Sequence, residues 1–335
     1  MNNHLPASVT GYIWRPARRE DAPAIYRLYE ASDREDRTHF AESLESVYND
    51  FDKPNTYLER DTVEAISETG ELTAIGWIFI NPIAESQRRA FLWGTVHPQH
   101  RRRGLGTAMI RWEVDAGTRR LNDFDDGVEH ALCCISPQHT TDRIHLFERE
   151  GLNEVRRYYS MNHDLSQTIS PVAVKEGVQI IPWDTARNDE ALEVCNTAFR
   201  DHWGTEPVSA AIWNLEYVGS SDFHPEVSRM AICDGKLVGI VIADIPESQL
   251  TGKRRGHIRE LGVLREYRKQ GIASALLTGA MQSLHDVGMD VASLSVDTQN
   301  LTGALRLYEN LGFTVHQVSI SYAAVVKAAE TDRAG

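Results

Sequence analysis

Two short stretches of this chain have the residue types of an anion cradle. One is Arg268-Lys269-Gln270-Gly271-Ile272-Ala273-Ser274 and the other is Arg101-Arg102-Arg103-Gly104-Leu105-Gly106-Thr107. Each reads as a turn between a strand and an amphipathic helix. Such a turn aims unpaired backbone N–H groups outward, with the positive end of a helix dipole behind them. Small residues at Gly271 and Ala273 let the backbone approach a phosphate closely, and Arg and Lys side chains add charge. A diphosphate suits that description. Neither stretch is a GxxxxGK[ST] or GxGxxG loop. A glycine that merely ends a turn would explain one such stretch. It does not explain two in the same setting, each followed by a Leu-aromatic-Glu-x-x-Gly block: Leu146-Phe147-Glu148-Arg149-Glu150-Gly151 and Leu307-Tyr308-Glu309-Asn310-Leu311-Gly312.

The elements that must position these residues also occur twice. Upstream of the two turns, Leu72-Thr73-Ala74-Ile75-Gly76-Trp77 is echoed by Lys236-Leu237-Val238-Gly239-Ile240. Three blocks in one order at a nearly constant offset indicate a duplicated domain, with a period far too long for a solenoid. The join is expected between Leu165 and Gly177, where Ser, Thr, Pro and Lys-Glu-Gly break the pattern, giving domains at 1–166 and 175–330. In copy one a helix follows Arg15-Pro16, with Ile25, Leu28 and Tyr29 at helical spacing. Strand pairs are expected at 62–66 with 72–80, and at 230–233 with 237–245, the latter turning at Asp234-Gly235. Strands ending at Val96 and Val263 lead into the two turns. The following helix in copy two carries Ile272, Leu276, Ala280 and Leu284 on one face. An alternating strand (Ala292, Leu294, Val296), a short helix to Leu311 and strands over 314–326 complete it.

Composition limits what the chain can bind. It has 335 residues, 41% hydrophobic and 25% charged, close to the globular average. With 48 acidic and 35 basic residues the formal charge is −13, which disfavours a broad nucleic-acid or anionic-membrane surface and suits a cationic substrate. There is no long apolar run and no secretory pattern at the start. Cys133, Cys134, Cys195 and Cys233 form no CxxC pair and read as reduced core thiols of a cytoplasmic protein. No HExxH or Cys/His knuckle is present, so no metal is expected.

The Arg-x-x-Gly-x-Gly/Ala turns and the later Asn300 to Phe313 stretch resemble the GNAT superfamily of acyl-CoA-dependent N-acyltransferases, across both halves. The resemblance implies an α/β (α+β) fold: two tandem GNAT domains, each a mixed, mostly antiparallel central sheet flanked by helices. It implies acetyl-CoA as acyl donor and a primary amine, most simply of a small molecule, as acceptor. A protein or peptide amino group, or a non-catalytic acyl-CoA sensor, are the alternatives.

By that resemblance, Leu261, Gly262 and Val263 bond the pantetheine arm through their backbone, and the Val263 amide donates to the oxyanion. Arg268, Lys269, Gln270, Gly271, Ile272, Ala273 and Ser274 hold the diphosphate. Asn300 and Ala304 flank the arm, although Asn300 lies one residue further from Tyr308 than is usual. Tyr308 occupies the general-acid position. His257 and Arg259 share a face with Val263 in a regular strand, and arginine cannot be a base. His257 is therefore a candidate general base. Glu260 is the other, provided a bulge turns it onto that face.

Copy one is degenerate. Phe147 stands for Tyr308, Ala90 for His257, Leu92 for Arg259 and His139 for Asn300. It keeps a strand end (Gly94, Thr95, Val96) and the loop Arg101, Arg102, Arg103, Gly104, Leu105, Gly106, Thr107. The expectation is that copy one binds acyl-CoA, or once did, and that chemistry belongs to copy two. His202-Trp203-Gly204 and Phe223-His224-Pro225 either line the acceptor site or pack loops.

Overall fold

The computed structural model describes residues 5–38, 43–81, 83–200, 202–246, 252–300 and 303–329. The first repeat contains β1 (Tyr12–Arg15), α1 (Ala22–Asp36), α2 (Leu44–Asp52), α3 (Leu58–Asp61), β2 (Thr62–Ser67), β3 (Leu72–Ile80), β4 (Gln87–Val96), α4 (Leu105–Leu121), β5 (Glu129–Pro137), α5 (Thr141–Arg149) and β6 (Asn153–Asp164). The second contains β7 (Val178–Pro182), α6 (Asn188–Phe199), α7 (Ala210–Ile212), a π-helical turn (Trp213–Tyr217), β8 (Arg229–Cys233), β9 (Lys236–Asp244), β10 (Arg255–Val263), α8 (Ile272–Asp286), β11 (Val291–Asp297), α9 (Ala304–Asn310) and β12 (Thr314–Lys327).

Two compact units result: Met1–Arg156 with Ser319–Gly335, and Arg157–Val318. In the first, the strand order is β1-β2-β3-β4-β5-β12, and in the second β7-β8-β9-β10-β11-β6. Only β4–β5 and β10–β11 are parallel. The expected mixed, mostly antiparallel sheets are therefore present. The expected division at 1–166 and 175–330 is corrected. Tyr158 to Asp164 of β6 pair with β11, so the end of repeat one completes the second sheet. Ser319 to Lys327 of β12 pair with β5, so the end of repeat two completes the first. A sequence repeat gives the order of strands along the chain, not the partner each one finds.

The central strands are apolar on both sides because each separates two cores. β9 sends Val238, Val241 and Ala243 toward α8, and Leu237, Ile240 and Ile242 toward α6. β3 likewise divides Ala74, Ile78 and Ile80 from Ile75 and Trp77. Continuous apolar runs of this kind mark strands covered on both faces. All four cysteines are free, and Cys133, Cys134 and Cys195 are buried, which raises their thiol pKa values and keeps them inert. No described helix is long and apolar enough to cross a membrane.

The β12 strand carries Tyr322, 2% exposed, into the first unit's core, where its ring lies 5.8 Å from that of Phe147. Tyr322→Ala should destabilise the first unit by about 3 kcal/mol, the usual cost of truncating a buried aromatic. Hydrogen exchange should then lose protection in β4 and β5 while β10 and β11 keep theirs.

Candidate active site

The site begins where two parallel strands part. β10 pairs with β11 from Arg255 to Ile258 and runs on to Val263 bonded only to β9. The Leu264 amide donates to the Val238 carbonyl at 2.9 Å. In an antiparallel ladder the preceding residue then turns its own N–H away from that neighbour. The amides of Val263 and Leu261 therefore face the opening. Gly262 serves differently: a Cβ there would come within 3.1 Å of Ala198 and Phe199, so this glycine lets α6 pack on the strand. The first unit repeats the geometry. β4 leaves β5 after Phe91, and the His97 amide donates to Thr73 at 2.8 Å, turning the Val96 and Gly94 amides outward.

Beyond each opening lies the glycine turn. Lys269 and Gly271 have φ values of 60° and 79°, and Arg102 and Gly104 have 61° and 94°. Helices α8 and α4 both start without a side-chain cap, which leaves their first-turn amides for an anion. At Gly271 a Cβ would also meet the Ala173 carbonyl at 2.9 Å. Ile272 and Leu105 are buried in their cores, while Ala273 and Ser274 stay half-buried. The first arginine of each loop turns its guanidinium onto backbone carbonyls of the protein. Arg268 Nε donates to the Val263 carbonyl (3.0 Å) and its Nη2 to that of Ala198 (2.8 Å). Arg101 Nε donates to Val96 in the same way (3.2 Å). These guanidiniums brace the turn from behind. Gln270 bonds back to the Glu266 carbonyl, and Lys269 is exposed.

One inserted residue sets which side chains of β10 share a face. The β9–β10 register shifts between Ile258 and Glu260, whereas β3–β4 runs without a shift from Ile80↔Ala90 to Ala74↔Val96. The bulge at Arg259 corrects the matching of the two copies. Gly256 and Ile258 face α8 as Ala90 and Leu92 face α4, so His257 corresponds to Phe91 and Arg259 has no counterpart. Two consecutive residues now share a face. Arg259 pairs with Asp244 and donates to the Glu216 carbonyl. Glu260 accepts from Tyr217 Oη at 3.5 Å. Desolvation, outweighing the attraction of Arg259, pushes Glu260 up to about 7. The same desolvation, with Arg259 and Arg255 nearby, pushes His257 down to about 4, and its Nδ1 lies 3.2 Å from Ser293 Oγ. Asp244 is likewise raised by burial, to about 6.

Tyr308 lies on α9, buried against Phe313, and desolvation followed by the Glu260 charge raises it to about 12. Asn300 and Ala304 stand on either side of Gly303, which has a φ of 79°, and residues 301–302 lie outside the described ones. In the first unit the corresponding places are filled. His139 Nε2 bonds the Asp36 carbonyl at 2.6 Å, and Arg143, in the place of Ala304, lies 3.6 Å from the Asp36 carboxylate. Arg101 grips that carboxylate through two nitrogens, Arg102 pairs with Asp142 and Arg103 donates to Tyr12 and Gln99. Trp93 takes the place of Glu260.

A sequence profile of the Acetyltransferase (GNAT) family matches residues 22–151 and 188–313. The chain belongs to this family. It is an acetyl-CoA-dependent N-acetyltransferase with two GNAT regions. It is 30% identical to a protein of Thermomonospora curvata named mycothiol acetyltransferase, over 68% of this chain and 71% of that one. A GCN5-related N-acetyltransferase from Sphaerobacter thermophilus superposes with a TM-score of 0.73 at 26% identity, covering 97% of this chain and 98% of that one. A tandem GNAT protein of the clavulanic acid biosynthesis pathway shares the fold, with a TM-score of 0.70 at 15% identity, covering 95% and 100%.

Sequence reasoning missed Tyr217 and Asp244. Tyr217 ends a π-helical turn, a local form often found at functional sites, and it stacks on Trp213. Nothing in the residue pattern distinguishes that turn from ordinary helix. Phe223 is core packing against Trp183, and His224 pairs with Glu226. Trp203 is 41% exposed.

Ser274→Asp separates the loop's role from its stability. An acid in the first turn of α8 complements the helix dipole, so the fold is kept. It also repels a diphosphate, so calorimetry should show acetyl-CoA binding weakened at least about tenfold, roughly 1.4 kcal/mol.

Proposed function

We propose that the Arg157–Val318 unit carries the chemistry, moving an acetyl group from acetyl-CoA directly to the primary amine of a small molecule. The observation that carries this reading is the bulge at Arg259, which puts Glu260 on the cleft face beside the diverging strands. Glu260 takes a proton from the acceptor ammonium, directly or through water. The freed nitrogen attacks the thioester carbonyl, and the carbonyl electron pair moves onto oxygen, where the Val263 amide donates. Collapse of the adduct breaks the C–S bond, and Tyr308 Oη gives the leaving thiolate its proton. The nitrogen's excess proton passes to the Tyr308 phenolate, and Glu260 releases the proton it took to solvent, so both groups are reset. Tyr217 steadies the Glu260 carboxylate.

Amine acceptors suit the surroundings. Glu260 and Asp244 face one another across Arg259, and the chain's formal charge is −13, so an ammonium is drawn in. The names of the curated relatives support a small, mycothiol-type amine over a protein amino group. The first unit keeps the backbone of an acyl-CoA site but spends all three loop arginines on its own side chains and carbonyls. Its Trp93, Phe147, His139 and Arg143 stand where Glu260, Tyr308, Asn300 and Ala304 stand in the second. We therefore assign one acetyl-CoA to each chain. Turnover of acetyl-CoA against a panel of small amines and peptides tests the reading. Turnover restricted to peptides would favour the protein-acetylating alternative, and binding without any turnover a sensor.

Glu260 works only when ionised. Held at about 7, it should make kcat/KM rise with pH through about 7 and level off above it. Glu260→Gln should abolish that limb and lower kcat/KM by about 10²–10⁴. His257→Gln should keep the limb, because a group held at about 4 titrates well below it.

Tyr308→Phe removes one hydroxyl and keeps the ring packed on Phe313. We expect kcat to fall at least about tenfold with little change in the KM for acetyl-CoA, the signature of an interaction made in the transition state. Unchanged kcat under chemistry-limited turnover would reduce Tyr308 to a packing residue.

A further inference from the structure

Three segments of the first unit meet just ahead of its glycine turn. Glu71 follows the tight turn between β2 and β3. His97 and His100 flank the short 3-10 turn that links β4 to Arg101. One ring nitrogen from each histidine and one Glu71 carboxylate oxygen lie within 4.8 Å of one another. Nothing in the acetyl-transfer reading uses them. We propose that Glu71, His97 and His100 form a binding site for a divalent ion of the zinc class.

The donor set selects the ion. Two imidazole nitrogens and one carboxylate oxygen suit Zn²⁺ and its borderline neighbours, while Mg²⁺ and Ca²⁺ prefer oxygen alone. Ligands at about 2.0–2.2 Å from a tetrahedral ion sit about 3.4 Å from one another. His100 Nε2 already lies 3.4 Å from Glu71 Oε2. The fourth position is left to water.

The outer contacts are those such a site needs. With the ion on Nε2, His100 Nδ1 carries the proton and donates to Tyr12 Oη, 2.8 Å away. That hydroxyl also accepts from Arg103 Nη1 at 3.1 Å, so both its lone pairs are used and the imidazole ring is held in place. Partners of this kind fix the tautomer and direction of a ligating histidine. The rings of His97 and His100 meet edge to face, 5.7 Å apart. His97 Nδ1 accepts a long bond, 3.3 Å, from the Gln99 amide. Ligation through either nitrogen of His97 gives up that bond, a small cost at this length.

The ion would act as a clasp. It ties the β2–β3 turn to the segment that runs directly into Arg101, Arg102 and Arg103, and so stiffens the glycine turn of the unit that lacks Tyr308's counterpart. Glu71 lies far in sequence from the His97–His100 pair, which is why a search for short metal motifs does not find the set.

The test uses the full chain, free of any histidine tag and stripped with a chelator, titrated with Zn²⁺ in a calorimeter and with Mg²⁺ as control. One Zn²⁺ per chain is expected, with a rise in melting temperature that Mg²⁺ does not give. Glu71→Gln and His100→Ala should each weaken Zn²⁺ binding at least about tenfold, and Tyr12→Phe about tenfold through the second ligand shell. Melting of each variant without metal should match the parent, so that lost binding is not lost fold. His145→Ala, at an exposed position outside the cluster, should change nothing. Absence of stoichiometric Zn²⁺ binding overturns the proposal, as does binding that survives Glu71→Gln, His97→Ala and His100→Ala combined.

Discussion

The cleft of the Arg157–Val318 unit depends on two parallel strands that stop pairing. A sheet normally satisfies every backbone N–H and C=O, and an unpaired group away from water is costly. Between β10 and β11 the ladder ends at Ile258, and the amides of Leu261 and Val263 are turned into the gap. An extended chain with alternating amides, such as a pantetheine arm, replaces the missing strand. Everything else keeps the gap open or furnishes its ends. α8 supplies amides for the diphosphate, Arg268 braces the turn against Val263 and Ala198, and α9 brings Tyr308 to the far wall.

The gap alone does not distinguish the units, since the first unit has it too. The difference is a single residue. Without the bulge, Glu260 would point to the other side of β10, and the cleft face would carry His257 and Arg259. The bulge adds a residue to one strand and none to its neighbour, so it re-aims a side chain without disturbing the sheet. It also explains why the residue pattern favoured His257. Matching the copies at one constant offset set His257 against Ala90, and the insertion is invisible to that comparison. Letting the offset change by one between Gly256 and Val263 brings Gly256 onto Ala90 and Ile258 onto Leu92, and exposes Arg259 as the extra residue. The signal was in the sequence, but only as a difference between its halves.

Other features were legible to different depths. The duplication, the strand pair expected at 62–66 with 72–80, the glycine turns and the helices behind them follow from local periodicity and turn chemistry, and the structure has all of them, with β2 one residue longer. The exchange of β6 and β12 could not be read, because either strand suits either edge and only the tertiary register decides. The bracing contacts of Arg268 were hidden for a similar reason, since only the folded turn brings its nitrogens onto the Val263 and Ala198 carbonyls. Tyr217 was hidden because a π-helical turn has no composition of its own.

The proposed division of labour between the units illustrates how a duplicated site could lose chemistry and keep its fold. The backbone elements that define the cleft are held by the sheet and by Arg101 or Arg268, which serve stability as much as binding. Side chains that do chemistry have no such second duty. In the first unit Trp93 fills the place of Glu260 with apolar surface, and Phe147 keeps the packing of Tyr308 while lacking its proton. Arg143 takes the place of Ala304 and, with Arg101, closes on Asp36. Each change removes a group that is costly to desolvate or adds a contact. In the second unit Glu260, half-buried, and Asp244, buried, are carboxyls raised to about 7 and about 6. A carboxyl raised above its unfolded value costs stability at any pH where the unfolded chain would ionise it. Both units bear such a cost at neutral pH, since burial also raises Glu64 and Glu113 of the first to about 8; in the second, the proposed base Glu260 is the physical return for it.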